Sequence, residues 1–142
     1  MIPLNSEIKQ CLAYIFDKYA DMEPVISGMI GVYLDGFDIG RFTSDVDIMF
    51  MSRESLTPKE KVAMRLDVEK KFPVCLDVMA SKLEEDDVIS EADIDGKTYR
   101  HFTAETIFKY KRRLAENGHG VEKHMADIEE YERQKAERAE GI

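Results

Sequence analysis

The sequence predicts an α/β (α+β) fold, a small mixed β-sheet with flanking helices. Three observations predict it. Short apolar runs bounded by glycine or proline alternate with longer segments of helical period. Two of those runs, DVDIMF and VCLDVMA, alternate in side-chain character as strands do. "IDGKTYRHF" places an Asp-Gly turn between apolar residues, the signal of a β-hairpin.

The elements follow in order. Asn5-Ser6-Glu7 caps a helix, IKQCLAYIFDKYA, with Ile8, Leu12, Ile15 and Phe16 on one face. Pro24 opens a strand, PVISG, that ends at Gly28. Met29 to Leu34 is apolar and fits either an extension of that strand or a short helix after a glycine turn. Asp35 to Gly40 holds two glycines and two aspartates and reads as a loop.

Ser44 to Met51 is the second strand. Thr57-Pro58, with Glu60 after it, starts a helix that Pro73 terminates, with Val62, Leu66 and Val68 as its apolar stripe. VCLDVMA is the third strand, and the acidic stretch Leu83–Glu91 reads as a loop or short helix. After the hairpin, Thr103 starts another helix with Gly118 beyond its end. A last helix runs from Val121 to about Arg138, and residues 132–142 read as its charged end or tail. One domain over 1–142 is expected, since 142 residues leave room for a real core.

Composition narrows the function classes. Hydrophobic residues at 44% and charged residues at 35% argue against wholesale disorder. No apolar run approaches the ~20 residues that span a bilayer, so no membrane partner is expected. MIPLNSEIKQ has no basic start before an apolar run, which predicts no signal peptide and, by default, a cytoplasmic location. The net charge of −9 makes the chain a poor non-specific binder of nucleic acid. That charge still leaves room for a local basic patch, for instance around Lys109, Lys111, Arg112 and Arg113. Cys11 and Cys75 lie far apart without a CxxC spacing, so both are expected as reduced, buried thiols.

The unusual feature is where the carboxylates fall. Alternation puts Asp45, Asp47 and Met49 on one strand face and Val46, Ile48 and Phe50 on the other. In VCLDVMA, Cys75, Asp77 and Met79 share a face opposite Val74, Leu76 and Val78. If the two strands are sheet neighbours, Asp77 stands beside Asp45 and Asp47. Two like charges ~4 Å apart cost several kcal/mol at a protein-like dielectric. A raised pKa or a divalent cation offsets that cost. Magnesium accepts a few carboxylates, keeps waters and completes its shell with substrate phosphates. Two carboxylate-bridged ions suit phosphoryl and nucleotidyl transfer. Ordinary capping or solvated surface positions are the alternative for these aspartates.

"VISGMIGVYLDGFDIGRFTSDVDIMF" resembles the signature of the nucleotidyltransferase-fold superfamily. That signature is an apolar strand, a Gly-Gly or Gly-Ser turn, a short helix, an Asp-X-Asp strand and a third acidic residue on a later strand. Ser27-Gly28 falls at the turn, Asp45 and Asp47 form the pair, and Asp77 in "CLDVM" is the third. "GRFTSDVDI" is similar to the form seen in small bacterial members, the lincosamide-type and abortive-infection toxin-type nucleotidyltransferases. "IDGKTYRHFTAETIFKYKRRL" and "KHMADIEEY" continue the likeness, so it covers roughly residues 24 to 131.

The resemblance implies two Mg2+ ions on Asp45 and Asp47, with Asp77 as general base or third ligand. It implies a nucleoside triphosphate substrate whose phosphates meet Ser27, Gly28, Arg41 and Lys123. The acceptor would be a hydroxyl of a small molecule, an RNA end or a protein, and the small size fits a homodimer completing a cleft. Lys123 also has a plainer role open to it, an i,i+4 pair with Asp127. Lys109 and Lys111 are further candidates for the phosphate channel or, as plainly, solvated helix charges. A second function class is a non-catalytic nucleotidyltransferase-like interaction module.

Overall fold

The computed structural model describes residues 4–39 and 45–141. Among these described residues five strands form one mixed sheet: β1 (Pro24–Ser27), β2 (Asp45–Phe50), β3 (Cys75–Ala80), β4 (Ile89–Ile94) and β5 (Lys97–Phe102). The α-helices described with it are α1 (Ser6–Lys18), α2 (Gly28–Leu34), α3 (Pro58–Glu69), α4 (Ala104–Glu116) and α5 (Val121–Glu140). The strand order is β3-β2-β1-β5-β4. β1 runs antiparallel to β2 and parallel to β5, β2 and β3 are parallel, and β4 and β5 form an antiparallel hairpin.

Local signals account for the element ends. Asn5 Oδ1 accepts the Ile8 amide at 2.9 Å, and α1 starts there. Thr57 and Glu60 exchange side chain-to-backbone bonds in a full capping box, with Pro58 at the first helical position. Thr103 caps α4, and the Asp35 carboxylate accepts the Ala104 amide at 2.7 Å. Asp95 and Gly96 both take positive φ, as a two-residue hairpin turn requires. The ambiguous segment 29–34 is helical, because Gly28 turns the chain at φ +62.

Alternation along the strands makes two cores, one per sheet face. Val46, Ile48, Phe50, Leu76 and Val78 pack with Ile8, Leu12 and Ile15 of α1 and Met64 and Val68 of α3. Val25 and Phe102 pack with Met29 and Val32 of α2, Ile107 and Phe108 of α4 and Tyr131 of α5. Tyr131 stacks on Phe108 with centroids 4.2 Å apart and meets Phe37 edge-on at 5.0 Å. Its hydroxyl donates to Glu105 at 2.6 Å. Arg138 lies over the Phe37 ring and donates to the Gly36 carbonyl, so the charged C-terminal segment is helix as far as Glu140 and docked at Arg138. Among the described residues, no helix is long and apolar enough to cross a membrane.

Three local expectations are corrected. Of the expected α3 stripe, Val68 is buried, but Val62 and Leu66 are 55% and 66% exposed, and Met64, one turn before Val68, takes their place. Glu69 accepts the Leu76 amide and Asp67 accepts from Tyr14 and Tyr19, and these polar ties fix which face turns inward. Ile89–Glu91 belongs to β4, paired with Arg100–Phe102, and is neither loop nor helix. Cys75 is exposed, since its face of β3 is the one left uncovered, whereas Cys11 is buried.

Candidate active-site groove

The two sheet faces differ in coverage. On the face opposite α1 and α3, residues of α2, α4 and α5 pack against β1 and β5. Cys75, Asp77 and Met79 of β3 stay exposed on that face, and Met49 of β2 is only partly covered. The step between covered and uncovered sheet is an open groove of about 540 Å3. Its floor is β2 and β3, one end is the β1–α2 turn, and its wall is α4 with the start of α5.

Register builds the floor. Ser27 pairs with Asp47, and Asp47 pairs with Asp77, so three groove-lining residues form one row across β1, β2 and β3. Neighbouring positions in such a row are ~4.8 Å apart. Asp45 lies two residues back on β2, on the same face, opposite Cys75. Asp45, Asp47, Asp77, Ser27 and Gly28 therefore all line one groove.

Gly28 is required there for two reasons. Its φ of +62 is one that L side chains rarely adopt, and a Cβ would lie 2.7 Å from the Asp47 Cγ. The missing side chain is the space that the Asp47 carboxylate occupies. Burial pushes the Asp47 carboxyl up to about 6, and the charges of Asp77 and Asp45 push the same way. The nearby Lys111 and Lys123 ammonium groups act against the rise without cancelling it.

The wall supplies the opposite charge. Lys111 of α4 and Lys123 and His124 of α5 line the groove, and Arg65 of α3 reaches it from the β3 edge. Asp127, four residues after Lys123, sits inward on α5 and turns to α4, where its Oδ2 stands 3.6 Å from the Lys111 Nζ. Lys109 points elsewhere, to Asp86 and Asp87. Arg112 pairs with Glu105 and Glu132, and Arg113 pairs with Glu84, so a basic patch there is largely neutralised by the chain's own acids. Arg41 lies outside the described residues.

Sequence reasoning missed Arg65, Tyr110 and Leu114 as groove residues and assigned His124 no role there. The three-to-four spacing of Ile107, Tyr110, Lys111 and Leu114 on one face of α4 was the available signal.

The donor set suits a hard cation. Three carboxylates on one face, the middle one buried beside its neighbours, are oxygen ligands with excess negative charge. Among the described residues, no three His, Cys, Asp or Glu side chains close into a ready-made metal cluster. Magnesium does not need one, because waters and substrate oxygens complete its shell. No family model, no curated protein and no solved structure matches this chain.

Proposed function

We propose that the protein is a magnesium-dependent nucleotidyltransferase, moving a nucleoside monophosphate from a nucleoside triphosphate to an acceptor hydroxyl. The observation that carries this is the Ser27–Asp47–Asp77 row, with Asp45 beside it, facing two lysines across one groove. The resemblance of residues 24–131 to the nucleotidyltransferase-fold superfamily supports the same reading.

In this mechanism Asp45 and Asp47, with Asp77 level with Asp47 in register, would hold Mg2+. The metal they hold would supply charge neutralisation of the phosphates and a lowered pKa for the attacking hydroxyl. Small side chains at Ser27 and Gly28 let the phosphates approach the backbone of the β1–α2 turn. Lys111 and Lys123 face the anionic part of the nucleotide. Asp77, on the exposed β3 edge, takes the proton of the acceptor hydroxyl. The acceptor oxygen bonds to the α-phosphorus, the bond from that phosphorus to the β-phosphate oxygen breaks, and pyrophosphate leaves. Carboxylates already tie down Lys109, Arg112 and Arg113 on the outer side of α4, which favours a small hydroxyl acceptor over a polyanion.

Calorimetric titration of ATP in the presence of Mg2+ tests the reading. Saturable, Mg2+-dependent binding to the wild type, lost in Asp45→Ala/Asp47→Ala, is the expected outcome. Absence of binding by the wild type at millimolar ATP leaves the interaction-module alternative standing instead.

A further inference from the structure

Asp127 is a buried carboxylate behind the groove wall, 3% exposed, yet it does not itself line the groove. Lys111, its partner at 3.6 Å, has a side chain only 12% exposed and does line it. Burying two opposite charges costs several kcal/mol per ion, and apolar residues of similar size usually hold helices together as well or better. The α4–α5 contact already has apolar and hydrogen-bonded ties in the Tyr131–Phe108 stack and the Tyr131–Glu105 bond. A buried ion pair is thus a poor device for docking these helices and a good one for fixing where an ammonium group stands. At 3.6 Å the contact is ionic, beyond the ~3.2 Å reach of a direct N–H···O bond. Lys111 is near enough to the floor to influence the Asp47 carboxyl.

We propose that Asp127 is a positioning residue: from α5 it holds the Lys111 ammonium of α4 in the groove wall facing Asp45, Asp47 and Asp77, where Lys111 meets the anionic part of a bound nucleotide. This rests on the nucleotide reading of the groove.

The test is a double-mutant cycle on the full chain, with Mg2+-ATP as probe and calorimetric affinity as readout. Asp127→Asn and Lys111→Met should each weaken Mg2+-ATP binding roughly tenfold, as loss of an outer-shell partner does. The double variant should bind no more weakly than Lys111→Met alone, because Asp127 acts through Lys111. Titration with Mg2+ alone should match wild type in every variant. Wild-type ATP affinity in Asp127→Asn overturns the proposal, and so does an undiminished Asp127→Asn effect in the Lys111→Met background. If Asp127→Asn does not fold, Asp127→Glu takes its place; the longer arm shifts the ammonium and weakens ATP binding, and unchanged affinity again overturns the proposal. Absence of Mg2+-ATP binding by the wild type itself is a different result: it removes the nucleotide reading and the proposal with it.

Discussion

Two groups of three acids in this chain have opposite surroundings. Glu84, Asp86 and Asp87, in the loop before β4, are matched by the chain's own donors. Arg113 donates twice to Glu84 at 2.8 Å, Lys109 bonds Asp86 and Asp87, and the Tyr110 hydroxyl donates to Asp87 at 2.7 Å. The Asp87 carboxyl is pushed up by burial, but Lys109, the Glu84 amide and Tyr110 outweigh that and hold it below the usual range. Asp45, Asp47 and Asp77 share one face of the sheet, and the middle carboxyl goes the other way, up to about 6. Acid count therefore says little about function. What distinguishes the groove is a carboxyl that burial and its acidic neighbours push upward, next to space for a ligand.

The largest test of this contrast is Asp47→Asn. Holding a carboxyl at about 6 instead of 3.8 costs ~3 kcal/mol at neutral pH. The folded pKa is raised, so wild-type stability without metal should fall as pH rises from about 4 to about 6 and stay lower above it. Asp47→Asn should abolish that fall and be more stable near pH 7 by up to ~3 kcal/mol, while losing Mg2+-dependent nucleotide binding. Denaturant melts across pH 4–7 check the first outcome and calorimetry the second. A destabilised Asn variant would break the comparison.

Gly28→Ala comes next. The positive φ and the overlap with Asp47 should together cost about 2 kcal/mol and displace the carboxylate, so thermal stability and Mg2+-ATP affinity fall together. In the neutralised loop, Lys109→Met should cost about 1 kcal/mol by leaving Asp87 short of its ammonium partner. The lowered Asp87 carboxyl contributes stability above its ordinary pKa and loses it as pH falls through the folded value, so the deficit should shrink in acid. Mg2+-ATP affinity should not change. The smallest effect belongs to Asp86→Ala: its side chain is 68% exposed, and the change in midpoint should correspond to under ~0.5 kcal/mol.

Much of the fold was legible because its signals are local. Asn5, Thr57 and Thr103 announce helix starts through bonds to amides three residues on. Asp95-Gly96 announces the hairpin. Where a signal was ambiguous, packing decided. The α3 stripe was partly misread because Val62 and Leu66 have the right chemistry but face solvent, while Met64 and Val68 meet β3 and α1. The site was legible on the floor and much less so on the wall. Asp45, Asp47 and Asp77 belong to strands whose period of two assigns their face directly. Arg65, Tyr110 and His124 reach the groove only because helices distant in sequence are laid beside it.

By itself the sequence determined which residues alternate, where helices begin, and that Asp45, Asp47 and Asp77 point away from the apolar sides of their strands. Only the tertiary structure decided that β2 and β3 are parallel neighbours with Asp47 level with Asp77. It also decided that Asp127 meets Lys111, and that the Asp87 carboxyl is held below its ordinary range while the Asp47 carboxyl is pushed above its own. Faces and caps depend on residues a few positions apart, whose geometry the backbone period sets. Strand order and ion pairs depend on closing long stretches of chain around shared cores, which no local pattern encodes.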